Sequence, residues 1–404
     1  KNYLVWATGD LQNANEVLQP TYLKRLNESL TSDAVINIAT AADLKAKNIT
    51  TQNPVNTWTY SYSNISDVAL GLSDHYVWDA SSVVVDKATG RRTSVNSAYN
   101  DTAKDFRHVT RYQQGALDFL SNKWPGIAYP FPKMTVFQGY AGMEYPMMAN
   151  DETYEDTVFS RFVAQHEIAH TWFPFYMGIN ETRYGFMDEG WATTLELLYA
   201  RTVMPKEVAD GFYKRFRVND WIESNDGAGD LAIITPAEQM SGSPMGNNEY
   251  GKPSLGYLAL KDLLGDDLFK KCLHGFMERW HGKHPNPWDF FYSFNDISGK
   301  NLNWFWNAWF FSNHYIDLAI ENKGIANGEQ KFLVRTICGF PVPVDLELEY
   351  SDGTKDTVHK TPAIWENNQQ QATIILTTAK SLSAVRLVTD IYVDADETNN
   401  SWKK

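Results

Sequence analysis

The stretch His166-Glu167-Ile168-Ala169-His170, followed after eighteen residues by Glu189 in Asp188-Glu189-Gly190-Trp191-Ala192, decides how this chain is read. Positions i and i+4 of a helix share one face, so the two imidazoles can converge on one ion while Glu167 points beside it. Val158, Phe159, Phe162 and Val163 precede the pentad at helical spacing, which predicts a helix there. Glu189 opens a second predicted helical segment, Trp191 to Ala200, with Glu196 two turns along the same side. Two neutral imidazoles and one carboxylate leave a Zn2+ site with net positive charge and an open fourth position. That lowers the pKa of a bound water from about 15.7 towards ~7. Glu167 is then placed to take the water's proton. The plainer alternative, two satisfied histidines on an ordinary helix, is weakened by the third ligand and by the segments on either side.

Upstream, Thr135, Val136 and Phe137 are β-formers leading through Gly139 and Gly142, which predicts a strand with closely approachable backbone, to which a peptide could pair. Gly142-Met143-Glu144-Tyr145 follows. Downstream, Ser241-Gly242-Ser243 and Gly246-Asn247-Asn248 predict a loop beside Tyr250. A phenol there, with a pKa near ~10, would be a neutral donor to an oxyanion. Glu196 reads either as a partner that orients a ligand or as an ordinary helix carboxylate.

Together these residues resemble the aminopeptidase N family of zinc metallopeptidases, gluzincins with H-E-x-x-H, eighteen residues, then Glu. The resemblance implies one zinc ion held by His166, His170 and Glu189, with Glu167 as general base. It implies that Gly142-Met143-Glu144 is an edge-strand segment whose Glu144 binds the substrate's free amine, and that Tyr250, in Tyr250-Gly251-Lys252-Pro253, stabilises the tetrahedral intermediate. Tyr145 and Asp188 stand where the family usually has Asn, and Pro253 where it has Gly. The implied activity is hydrolysis of the N-terminal bond of peptides with a free N-terminus. A thermolysin-type endopeptidase shares the ligand set but needs no free amine. A non-catalytic scaffold is the alternative of another class, and it has no reason to keep Glu167.

At 404 residues the chain exceeds the size at which one core usually stops growing, so two or three domains are expected. A formal charge of -13 argues against nucleic acid, whose phosphates demand a basic face. No apolar run approaches the roughly 20 residues that cross a bilayer, and Lys1 to Ala7 lacks the features of a signal peptide. An exported, periplasmic or cell-envelope location is preferred to the cytoplasm; the oligomeric state is not legible. The expected fold class is α+β. Residues 1–66 read as a remnant of an N-terminal β-rich domain, with a helical stretch from Asn13 to Ser29. Residues 67–316 read as a thermolysin-like catalytic domain (β part 67–150, helical part 151–316), and 317–404 as a β-sandwich, from the alternation of Val342, Val344, Leu346 and Leu348. Because family members carry a β-rich domain ahead of the catalytic one, the chain reads as a fragment or processed form. Cys272 and Cys338 are expected as buried free thiols, and His281 and His284 as an exposed helix end rather than a second metal site.

Overall fold

Strands Ile36–Ala39 (β1), Tyr76–Asp86 (β2), Arg91–Asn100 (β3), Lys133–Gln138 (β4), Met143–Tyr145 (β5) and Met148–Asp151 (β6) form one mixed sheet, in the order β1-β2-β3-β4-β6-β5. The computed structural model describes residues 1–223, 230–326 and 329–404. It divides into two compact units, and this sheet belongs to the first, which comprises Lys1–Gly178, Leu198–Val203 and His281–Lys283. β1, from the first 66 residues, pairs with β2 at one edge of the sheet.

Strand register settles which side chains share a face. Ser97 of β3 accepts hydrogen bonds from Thr110 (2.8 Å) and Gln113 (2.9 Å) of helix Phe106–Asn122 (α1), so Ser97 points at α1. The pairing runs from Ser97 to Val136, Val136 to Ala149 and Ala149 to Glu144. Side chains alternate along a strand, so Glu144 and Asp151 lie on the α1 face while Met143 and Tyr145 lie on the other. Helix Thr157–Ala169 (α2) packs on α1 and against β5 and β6.

Two local expectations are corrected here. The strand at Thr135–Phe137 does not run on to Glu144: β4 ends at Gln138, the chain turns through Ala141 at φ 64°, and β5 is a separate strand at the sheet edge. Asn150 fastens the turn by donating to the carbonyls of Tyr140 (2.8 Å) and Ala141 (2.7 Å). The helical stretch from Asn13 to Ser29 is broken into Ala14–Val17 and Pro20–Ser29, because Pro20 has no N–H to continue the first helix and suits the opening of the second.

The second unit comprises Ile179–Leu197, Met204–Trp280 and His284–Lys404. Its helical part is held by aromatic packing: Trp191 stacks on Tyr257 with ring centres 4.1 Å apart, and Phe290 meets Trp191 edge-on at 5.8 Å. The expected loop before Tyr250 is instead largely helical. Ser243–Gly246 forms a turn of α-helix, Asn247–Gly251 a π-turn, and Lys252–Leu264 continues it. Beyond these lie two antiparallel sheets, one of Leu318–Ala326, Glu329–Thr336 and Gln371–Leu376, the other built around Val344–Tyr350. Phe332 of the first contacts Trp402 of the second at 5.5 Å. Cys272 is buried, Cys338 half-buried, and both are free. His281 stacks on Tyr176 at 4.9 Å. Among the described residues no helix is long and apolar enough to cross a membrane.

Candidate active site

In the first unit, α2 carries the pentad. Asp156 caps its start, accepting from the backbone N–H of Val158 (2.8 Å) and Phe159 (3.4 Å). His166, Glu167 and His170 are all buried at its far end, with the two imidazole rings edge-on at 4.8 Å. A π-turn, Thr171–Tyr176, follows, and within it Phe173 leaves the helical region (φ −136°, ψ 106°) because it precedes Pro174. Its carbonyl is thereby turned back onto His170, 3.1 Å from Nδ1. Nδ1–H must donate in that bond, so the lone pair of His170 resides on Nε2, the tautomer a metal ligand needs.

The edge strand comes close to Glu167. A Cβ on Gly142 would lie 2.8 Å from Glu167 Oε1 and 3.1 Å from Val163 Cγ1, so a side chain here would have to displace the Glu167 carboxylate. One residue on from Met143, Glu144 is half-buried on the α1 face of the sheet. Tyr145 points to the opposite face, so the residue standing in place of the family's Asn leaves the Glu144 face unchanged.

In the second unit, Glu189 is the first residue of helix Glu189–Val203 (α3), and Tyr250 donates its hydroxyl to Glu189 Oε1 at 2.7 Å. Burial, then the Glu189 carboxylate, holds the Tyr250 phenol well above its ordinary pKa. Arg217 lies over the Tyr250 ring, 5.1 Å from its centre, and pairs with the buried Glu196 at 2.8 Å. Burial opposes the Arg217 charge, but Glu196 outweighs it and raises the guanidinium pKa further. Glu196 therefore reaches the Tyr250 ring through an arginine. Gly251 is required here, since a Cβ would sit 1.6 Å from the Arg217 carbonyl oxygen. Arg217 escapes sequence reading because it lies in an unremarkable basic run, Lys214-Arg215-Phe216-Arg217, that forms another π-turn, Lys214–Val218. Such turns mark functional sites often but have no sequence signature. Asp151 was missed as well, since nothing in Met148-Ala149-Asn150-Asp151 reveals a buried acid.

Within the first unit, His166 and His170 offer two imidazoles from one helix turn, the pair with which a metal site on this helix would begin. Paired imidazole nitrogens suit a borderline-soft ion better than a hard one.

Residues 113–309 match the model of the Peptidase family M1 domain. The match covers a little under half of the chain, and over those residues the chain is similar to this family's domain. No curated protein sequence matches it. Among solved structures, aminopeptidase A of Legionella pneumophila, in complex with aspartic acid, is similar with a TM-score of 0.61 and 13% sequence identity, over 80% of this chain. At that identity the likeness is one of fold. This chain spans 37% of the length of that structure.

Proposed function

We propose that the protein is a zinc-dependent aminopeptidase that hydrolyses the N-terminal bond of peptides. One observation carries the choice over an endopeptidase. The edge strand bearing Glu144 is brought against the pentad helix so closely that Gly142 abuts Glu167. A peptide lying along the free edge of β5 would therefore have a carboxylate for its ammonium beside the group that handles the proton.

His166, His170 and Glu189 would hold the ion, which when bound supplies a Lewis acid for the scissile carbonyl and an acidified water. Glu144 would bind the ammonium and so set the length of peptide ahead of the scissile bond. Glu167 would take the proton of the attacking water and pass it to the leaving amine. Tyr250, neutral and held by Glu189 and Arg217, would donate to the developing oxyanion.

The test is a matched panel of free and N-acetylated peptides with wild-type protein and Glu167→Gln. Expected are cleavage of free peptides only, unchanged zinc content in the variant, and a loss of about 10²-fold or more in its turnover. Efficient cleavage of an acetylated peptide at an internal bond would move the assignment to the thermolysin-type endopeptidases. Near-normal turnover by the Glu167→Gln variant would remove the base, and no hydrolysis by zinc-loaded wild type would favour a scaffold.

A further inference from the structure

The chemistry above makes no use of one buried acid in the first unit. Asp151 ends β6, is 2% exposed, and neither of its carboxylate oxygens has a hydrogen-bond partner. The register that places Glu144 on the α1 face places Asp151 there too, on the strand against which α2 packs. The titratable groups that face it are Glu167 on α2, Asp105 immediately before α1, and Tyr154 just beyond β6.

A carboxylate with no donor in a dry site costs several kcal/mol, so this group persists as the neutral acid. Burial first, then the charges of Glu167 and Asp105, holds its carboxyl well above the usual range. Tyr154 does not change this: burial and the surrounding acids push its phenol up to about 12, so it stays neutral. A carboxylic acid has one O–H to place. Asp105 is already engaged, accepting from Thr153 Oγ1 at 2.5 Å and from the Tyr154 N–H at 2.9 Å. After burial, the Glu167 charge acts on Asp151 more strongly than that of Asp105, which makes the Glu167 carboxylate the acceptor expected for this O–H.

We propose that Asp151 is a positioning residue for Glu167: as a neutral acid it directs its O–H toward the Glu167 carboxylate, orienting the base without adding a second negative charge beside it. The role rests on the reading of Glu167 as general base, whereas the protonation of Asp151 does not depend on it. Asparagine keeps the size, neutrality and donor of this group; leucine keeps only the size.

Zinc-loaded Asp151→Asn should hold kcat within about threefold of wild type. Asp151→Leu should lose about 10-fold or more in kcat with KM changed by less than about twofold. The infrared difference spectrum of wild type against Asp151→Asn at neutral pH, recorded with and without zinc, should show a protonated carboxylic-acid band that the variant lacks. That band reads the inference without any activity measurement. Absence of the band overturns it, as does an Asn variant that loses 10-fold or more with its fold and zinc intact, or a folded leucine variant with normal kcat. Should the leucine variant not fold, the Asn variant and the spectrum decide. Turnover by Glu167→Gln would sink the base assignment whatever the spectrum shows; an inactive Glu167→Gln with no acid band would sink the Asp151 inference alone.

Discussion

Replacing Gly142 by alanine tests how tightly the edge strand and the base are fitted. The added methyl would meet Glu167 Oε1 at 2.8 Å and Val163 Cγ1 at 3.1 Å. To regain ordinary contact near 3.4 Å the carboxylate oxygen must withdraw by roughly 0.6 Å. The obstacle is the end of a flexible side chain and Gly142 is not at positive φ, so the cost in stability should be small, about 1 kcal/mol, partly offset by the stiffer unfolded chain. Activity should respond far more. A misplacement of about 1 Å can cost ~10²-fold, so a loss of roughly 10-fold in kcat is expected, with zinc content unchanged. The assay is kcat and KM on a free-amine substrate, beside thermal melting and metal analysis. A second variant, Glu167→Asp, shortens the acid by one methylene and makes room for the methyl, so the double variant should lose less than the product of the two single losses. Gly142→Ala with kcat within about twofold of wild type would refute the close fit, and strictly multiplicative losses would show that the two residues do not interact.

Tyr250→Phe should lower kcat by roughly 10² to 10³ with little change in KM, because the phenol acts when negative charge develops; the reverse pattern in steady-state kinetics would mark a substrate-binding role. Arg217→Met takes the guanidinium from the buried Glu196 and should destabilise by about 3–5 kcal/mol in denaturant melts, while Arg217→Met with Glu196→Leu should recover most of it; equal losses would mean the pair is not the cause. Burial, then the charge of Glu189, pushes the Glu249 carboxyl up to about 7 from an ordinary 4.5. Its folded-state pKa is raised, so it contributes stability that is full below pH 4.5 and lost as pH rises through 7, on the order of 2 kcal/mol. Melting of the metal-free protein between pH 4.5 and 7 should show that slope and Glu249→Gln should flatten it; parallel curves would sink the assignment.

Short-range periodicity was enough to place His166, Glu167 and His170 on one buried helix end and Glu189 at the start of another, because helical geometry relates residues four apart without reference to the rest of the chain. The alternation of Val344, Leu346 and Leu348 announced a half-buried strand for the same kind of reason. What the sequence could not show depends on contacts between segments remote from each other. Glu144 faces α1 only because β5 pairs with β6 in one register, and a slip of one residue would have turned it to the Tyr145 face. The His170 tautomer follows from a carbonyl swung round by Pro174, and the Glu196–Arg217–Tyr250 chain from a π-turn with no pattern of its own. Asp151 looks like any polar residue at a strand end until α2 and Asp105 close over it, since burial and the lack of a partner are properties of the packed molecule and not of the residue.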